Sequence, residues 1–286
     1  MKEQVRLFFT ALMFYTRIPV PGWVGFSSEQ LNRATGYFPL VGVFVGMAGA
    51  LVYMLSCLLL GSAAPAGPFP SVSSMLPVLL CMLATILITG AFHEDAIADF
   101  CDGFGGGTDK ASILSIMKDS RMGAFGAIGL VMCLLLRGAL LMHIPPGAFF
   151  AVFLAGNALS RLSAVGLIYT ARYVRQDGSG KSKPVGEQHG AATWITAVLS
   201  ALLPVVVICL YLPGEVALAS DGPALLLRFG MILPLLGTTL YLFRRYVVRK
   251  IGGYTGDVLG ALQQISELVF YLSVLLLLRF YPAIEF

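Results

Sequence analysis

The chain has 286 residues, 57% of them hydrophobic and only 12% charged, with a mean hydropathy of +0.84. Soluble domains carry about 25% charged residues, so an ordinary soluble enzyme, a disordered tail and a nucleic-acid binder are excluded. The net charge of +4, from 19 Lys+Arg against 15 Asp+Glu, reads as a topology signal of a polytopic membrane protein rather than a surface for polyanions.

In chain order, the stretch Leu7–Pro21 (LFFTALMFYTRIPVP) comes first, framed by Arg6 and Arg17. It is too short to span and lacks a following small-residue cleavage site, so an interfacial helix with both arginines at headgroup level is expected. A bilayer core about 30 Å thick needs roughly 20 apolar helical residues. Seven stretches meet that length, at about 34–60, 72–92, 123–143, 147–170, 191–212, 224–243 and 258–279. The expected fold is therefore an all-α polytopic bundle, a single membrane domain over 1–286 with about seven transmembrane helices plus the interfacial one. Gly42, Gly46 and Ala50 fall four apart in the first span, a spacing that lets helices approach closely. Five scattered cysteines (Cys57, Cys81, Cys101, Cys133, Cys209) show no metal-type spacing and read as small apolar fillers.

Positive charge sets the expected orientation. Lys2, Arg6, Arg17 and Arg33 precede the first span; Lys110, Lys118 and Arg121 follow the second. Arg172, Arg175, Lys181 and Lys183 follow the fourth, and Arg244, Arg245, Arg249 and Lys250 follow the sixth. The alternate loops near 61–71, 144–146 and 213–223 hold no Lys or Arg, which puts the N-terminus and the long loops in the cytoplasm and the C-terminus outside.

The carboxylates are unevenly distributed: six of the 15 lie between Glu94 and Asp119, within HEDAIADFCDGFGGGTDKASILSIMKDSRMGAFG (His93–Gly126). With the second helix continued through Asp102, Asp95, Asp99 and Asp102 (i, i+4, i+7) share one face and Glu94 lies beside it. Like charges on one stripe repel, and desolvation near a membrane disfavours ionising them. A hard divalent cation resolves both problems. Mg²⁺ takes oxygen ligands and bridges carboxylates to phosphate, and Mn²⁺ meets the same demands. The alternative is a solvated acidic helix end. The glycines 103 and 105–107 suit either a phosphate-binding turn or a tight interhelical loop. Lys118, Asp119 and Arg121 follow, with Arg121 either a phosphate clamp or a headgroup anchor.

GGYTGDVLGA (Gly252–Ala261) opens the last span with Asp257, and Glu267 lies about three turns further in. Arg161 sits in the inner half of its span and is expected to pair with Glu267 or with substrate phosphate. Arg137 is expected nearer the opposite side, outside the site. GSGKS (Gly178–Ser182) resembles the end of a P-loop, but Arg175 occupies the required first glycine and no strand precedes it. His143 and His189 stand alone at span edges; His93 abuts the acids.

The assembled pattern resembles the cobalamin synthase family, membrane adenosylcobinamide-GDP ribazoletransferases of prokaryotes. The matching features are Thr16–Pro19 (TRIP), His93-x-Asp95-x-x-Ala98-Asp99-x-x-Asp102-Gly103 and Met117-Lys118-Asp119-Ser120-Arg121-x-Gly123. The Arg161 span, Ala171-Arg172 and Thr255-Gly256-Asp257-x-x-Gly260 complete them, with Ala96 standing where glycine is expected. The resemblance implies that adenosylcobinamide-GDP and α-ribazole, or its 5′-phosphate, give adenosylcobalamin or its 5′-phosphate and GMP. It also implies Mg²⁺ on Asp95, Asp99, Asp102 and Glu94, and Asp119, Asp257 and Lys118 as catalytic groups. Arg121, Arg161 and Arg172 would contact phosphate. The setting implied is the prokaryotic inner membrane, with a cytoplasm-facing site and room for association with other nucleotide-loop assembly enzymes. Two rivals are a CDP-alcohol phosphotransferase, which lacks its expected D-G-x-x-A-R here, and a cation transporter, which needs acids near the midplane.

Overall fold

The computed structural model describes residues 2–60, 72–174, 190–211 and 222–280. Among them no strand forms, and the elements are helices joined by short turns. The first is α1 (Lys2–Tyr15), whose 14 residues reach about 21 Å, short of a bilayer core. Its buried stripe of Leu7, Thr10, Ala11, Leu12 and Tyr15 packs on α2 (Ser28–Ala34) and α3 (Phe38–Leu60). Arg6 is not left at a headgroup position by itself: its Nε donates to the Val24 carbonyl at 2.7 Å.

Next come α4 (Val72–Thr89), α5 (Phe92–Gly106), α6 (Lys110–Ile116), α7 (Ala124–Met142) and α8 (Pro146–Thr170). The described part of the chain closes with α9 (Ala191–Tyr211), α10 (Gly222–Ile251) and α11 (Gly256–Phe280). Helix α8 is the axis. Of its 25 residues 19 are buried, and α3, α9, α10 and α11 pack around it. In lipid there is no hydrophobic drive between apolar helices, so close van der Waals packing of small residues has to hold them. The first span meets that demand: a Cβ on Gly42 would collide with the Asn157 carbonyl of α8, and one on Gly46 would lie 3.1 Å from Leu154 Cα. The outer faces are the inverse, with Leu51, Leu55 and Leu58 on α3, Ile128 and Leu135 on α7, and Leu199 and Leu203 on α9 all exposed. Apolar surface of that extent belongs against acyl chains, and the protein is a multi-pass membrane protein.

By length and composition five described helices cross a membrane, or six when one bent pair counts as a span. Seven are expected from sequence. One difference is α9, whose described apolar part, Ala191–Val207, falls short of full length. The other is the second span, which stops at Thr89. Helices α4 and α5 meet there at 88°. Gly90 (φ +66°) and Ala91 (φ +58°) both take the left-handed region, and the Arg17 side chain lies against Gly90 while the Arg17 N–H donates to Ile88 O at 2.7 Å. An alanine there is strained relative to glycine, so the bend is imposed by the chain packed against it. The acids consequently ride on a separate helix rather than on a continuation of the span. The loop near 61–71, residues 213–221 of the loop near 213–223, Arg175, Lys181, Lys183, the GSGKS segment and His189 lie outside the described residues. Cys81 and Cys133 are buried fillers, and Cys57, Cys101 and these two are all unbridged.

Candidate active site

One end of the bundle gathers most of the candidate residues. Helix α5 contacts α7, α6 and α11 there. Along α5 the side chains divide by helical phase. Asp95 is exposed and Asp99 half-buried, four apart on the outer face, whereas His93, Glu94, Ala96, Ile97 and Ala98 are buried.

Asp102 has a different task from the one expected. Its Oδ2 accepts the Gly123 N–H and its Oδ1 the Gly126 N–H, both at 2.7 Å. The N-cap of α7 is Gly123, which has no side chain to satisfy the first amides, so Asp102 caps α7 from a neighbouring helix. A carboxylate at a helix N-terminus also meets the positive end of the dipole. Its two oxygens are thus engaged in joining α5 to α7.

Glu94 turns inward. Its Oε1 accepts from Gln264 Nε2 (3.2 Å) and lies 3.7 Å from Arg137 Nη1; Arg137 Nη2 reaches Glu267 Oε1 at 3.0 Å. Tyr271 donates to Glu267 Oε1 and Gln263 to Oε2, both at 2.8 Å. Arg161 is 2% exposed; its Nη1 donates to the Asn157 carbonyl (2.8 Å) and Oδ1 (3.0 Å), and its guanidinium stands 5.6 Å from the centre of the Phe38 ring. The cavity between these side chains and His93 holds only about 10 Å³, too little for a phosphate. Glu267 pairs with Arg137 rather than with Arg161, and Arg161 and Glu94 are both buried. Arg137, placed outside the site from its position along the span, is the centre of this network. A usable sequence signal existed: Gln263, Glu267 and Tyr271 repeat every four residues on one face of α11.

Helix α11 runs antiparallel past α5. Gln264 meets Glu94, and Gly260 receives Ala96 so closely that a Cβ on Gly260 would overlap the Ala96 methyl. The small residue required at this crossing stands on α11, which explains how alanine is accommodated at 96. The same register brings Asp257, half-buried at the start of α11, opposite the turn of Asp99. The loop before α11 is stitched to the one after α8: Tyr254 N–H donates to Arg172 O (2.8 Å) and Val174 N–H to Tyr254 O (3.0 Å). The exposed Arg172 thereby joins the Asp257 end.

In the turn between α6 and α7, Lys118 is exposed and Asp119 and Arg121 bind each other. Arg121 Nη2 reaches Asp119 Oδ2 at 2.6 Å, and Nε bridges both carboxylate oxygens at 3.0 and 3.2 Å. The Arg121 side-chain hydrogen bonds, helped by the Arg121 backbone N–H, hold the Asp119 carboxyl down at about 2 and raise the guanidinium. A carboxylate that acidic is a poor proton acceptor at neutral pH.

Among the described residues, no three His, Cys, Asp or Glu side chains form a group able to hold a metal ion by themselves. The set Glu94, Asp95, Asp99 and Asp102 does not converge, because helical phase sends Glu94 inward and α7 engages Asp102. The remaining pair, Asp95 and Asp99, still offers hard oxygens on one open face. That donor set fits Mg²⁺, which takes one or two carboxylates and fills its shell with water and substrate phosphate.

The profile of a family described as Cobalamin-5-phosphate synthase matches residues 7–276. The adenosylcobinamide-GDP ribazoletransferase of Shewanella frigidimarina is 42% identical over 276 residues, covering 96% of this chain and 95% of the relative. Those of Shewanella woodyi and Shewanella oneidensis are each 41% identical, again over 96% of this chain and 97% and 95% of theirs. No solved structure matches. With the acidic helix, the bend and most of α11 inside the matched region, the chain belongs to the cobalamin-5-phosphate synthase family.

Proposed function

We propose that this protein transfers the cobinamide phosphate of adenosylcobinamide-GDP to the 3′-hydroxyl of α-ribazole or its 5′-phosphate, releasing GMP. The observation that carries this reading is the similarity along nearly the whole chain to relatives named for that transfer. The arrangement at the α5 end supports it. Phosphoryl transfer depends on alignment and on stabilising charge spread over phosphoryl oxygens, with little covalent work for the protein.

Asp95 and Asp99 would hold Mg²⁺, with Mn²⁺ as a substitute. The ion, when bound, screens the pyrophosphate charge. Lys118 and Arg172, both exposed at this end, bind phosphate oxygens, and Arg121, whose Nε and Nη2 stay on Asp119, adds its Nη1 to them. Asp257 takes the hydroxyl proton, since it stands opposite Asp99 while Asp119 is too acidic for that work. Asp102 keeps α5 fixed to α7.

The charge partition of the loops supports a site facing the cytoplasm from the inner membrane. Purified protein given adenosylcobinamide-GDP and α-ribazole should form corrinoid product and GMP together, and chelation should stop both, with Mg²⁺ restoring them. Absence of GMP in the presence of Mg²⁺ overturns the reaction; undiminished turnover in chelator overturns the metal.

A further inference from the structure

The network behind α5 is costly and none of it reaches substrate. Glu94, Arg137 and Glu267 are 7%, 3% and 1% exposed, and they bring α5, α7 and α11 to one point. Buried ion pairs add little net stability over apolar side chains of equal volume, because desolvation offsets their attraction. Their distinctive property is direction: each charge accepts one arrangement of partners and rejects the neighbouring ones.

Here the direction concerns α5. Glu94 and Asp95 are consecutive, so their side chains diverge by about 100°. Holding Glu94 against Arg137 and Gln264 compels Asp95, and Asp99 one turn on, to face outward. The apolar contacts of Ala96, Ile97 and Ala98 carry no charge to select among neighbouring rolls of α5, although the close Ala96–Gly260 crossing limits them. Glu267 in turn fixes Arg137, and is itself held by Tyr271 and Gln263. Gln263 Nε2 also donates to Ser160 of the axial helix at 3.0 Å, which ties the network to the centre of the bundle.

We infer that Glu94, Arg137 and Glu267 are positioning residues for the transfer, a buried ion network that sets the roll of α5 and so the location of Asp95 and Asp99. The inference rests on the proposed reaction. It places Glu94 as a positioning group and not as a metal ligand.

The test uses full-length protein with both substrates. Glu94→Gln keeps the shape and an acceptor for Gln264 but removes the charge. In this variant kcat falls about 10- to 100-fold and the Mg²⁺ concentration for half activation rises by less than in Asp99→Asn, while both KM values stay within about 3-fold of wild type. The thermal unfolding midpoint in detergent changes little. The paired variant Arg137→Met/Glu267→Gln, which removes opposite charges together, shows the same loss of kcat, and Arg137→Lys recovers part of the loss of Arg137→Met.

Wild-type kcat in Glu94→Gln overturns the inference. So does a Glu94→Gln metal requirement raised as far as that of Asp99→Asn, since a ligand behaves in that way. If wild-type protein releases no GMP, the reaction fails and the positioning role falls with it. If wild type turns over and the variants match it, only the positioning role falls.

Discussion

Glu94 and Asp95 are neighbours in sequence and opposites in environment. Glu94 is enclosed with Arg137, Glu267 and Gln264 where each charge has a fixed partner; Asp95 faces out, one helical turn before the half-buried Asp99. The comparison teaches that acidity alone does not define a site. The inner group, two carboxylates around one guanidinium with the buried Arg161 lining the same cavity, is closed, with about 10 Å³ of room, and suits holding helices in place. The outer group carries carboxylates and cations that substrate can reach.

Breaking one partner of the inner group separates the two regions most strongly. Glu267→Ala leaves Arg137 without its closest counter-charge, and a loss of about 3–5 kcal/mol is expected, read as a lowered unfolding midpoint in detergent. In the outer group, Asp99→Asn leaves that midpoint near wild type. Its GMP release instead drops about 100-fold or more, as expected for losing electrostatic stabilisation of the transferring group. Asp102→Asn falls between them. It weakens a charge-assisted cap and costs about 1–2 kcal/mol, so its unfolding midpoint and its activity decline together.

The smallest effect sharpens the outer side. Asp119 is held at about 2, below the unfolded carboxyl value of about 3.9. A depressed carboxyl contributes stability that is present above about pH 4 and lost as pH falls through 2. Carboxyl ¹³C shifts followed by NMR should therefore titrate Asp119 near 2 in wild type and in the ordinary range in Arg121→Ala. An Asp119 that titrates normally in wild type removes the Arg121 pairing.

Much of this was legible in the chain. Apolar length marked the membrane helices, and the Gly42–Gly46–Ala50 stripe marked the contact of α3 with α8, because both depend on local composition. The acidic segment was legible as a special place. Its division was not. Gly90 suits a helix end and Glu94 follows four residues on, yet neither sets the angle of a bend, and the left-handed turn at Gly90–Ala91 packs against Arg17, more than 70 positions earlier in the chain. The partners of Arg137 are hidden for a related reason. Sequence gives its position along α7 alone, but its partners come from α5 and α11, whose approach depends on the bend and on the Ala96–Gly260 crossing. Asp102 was assigned by its stripe, whereas its partners are backbone amides, which leave no mark in a sequence.

The right angle between α4 and α5 also divides labour along the chain. Helix α4 ends at Thr89, and α5 packs lengthwise on α11 instead of prolonging it. Asp95 and Asp99 therefore take their bearings from the last helix of the fold, so a change in α11 is felt at the acids with no alteration in the segment that carries them.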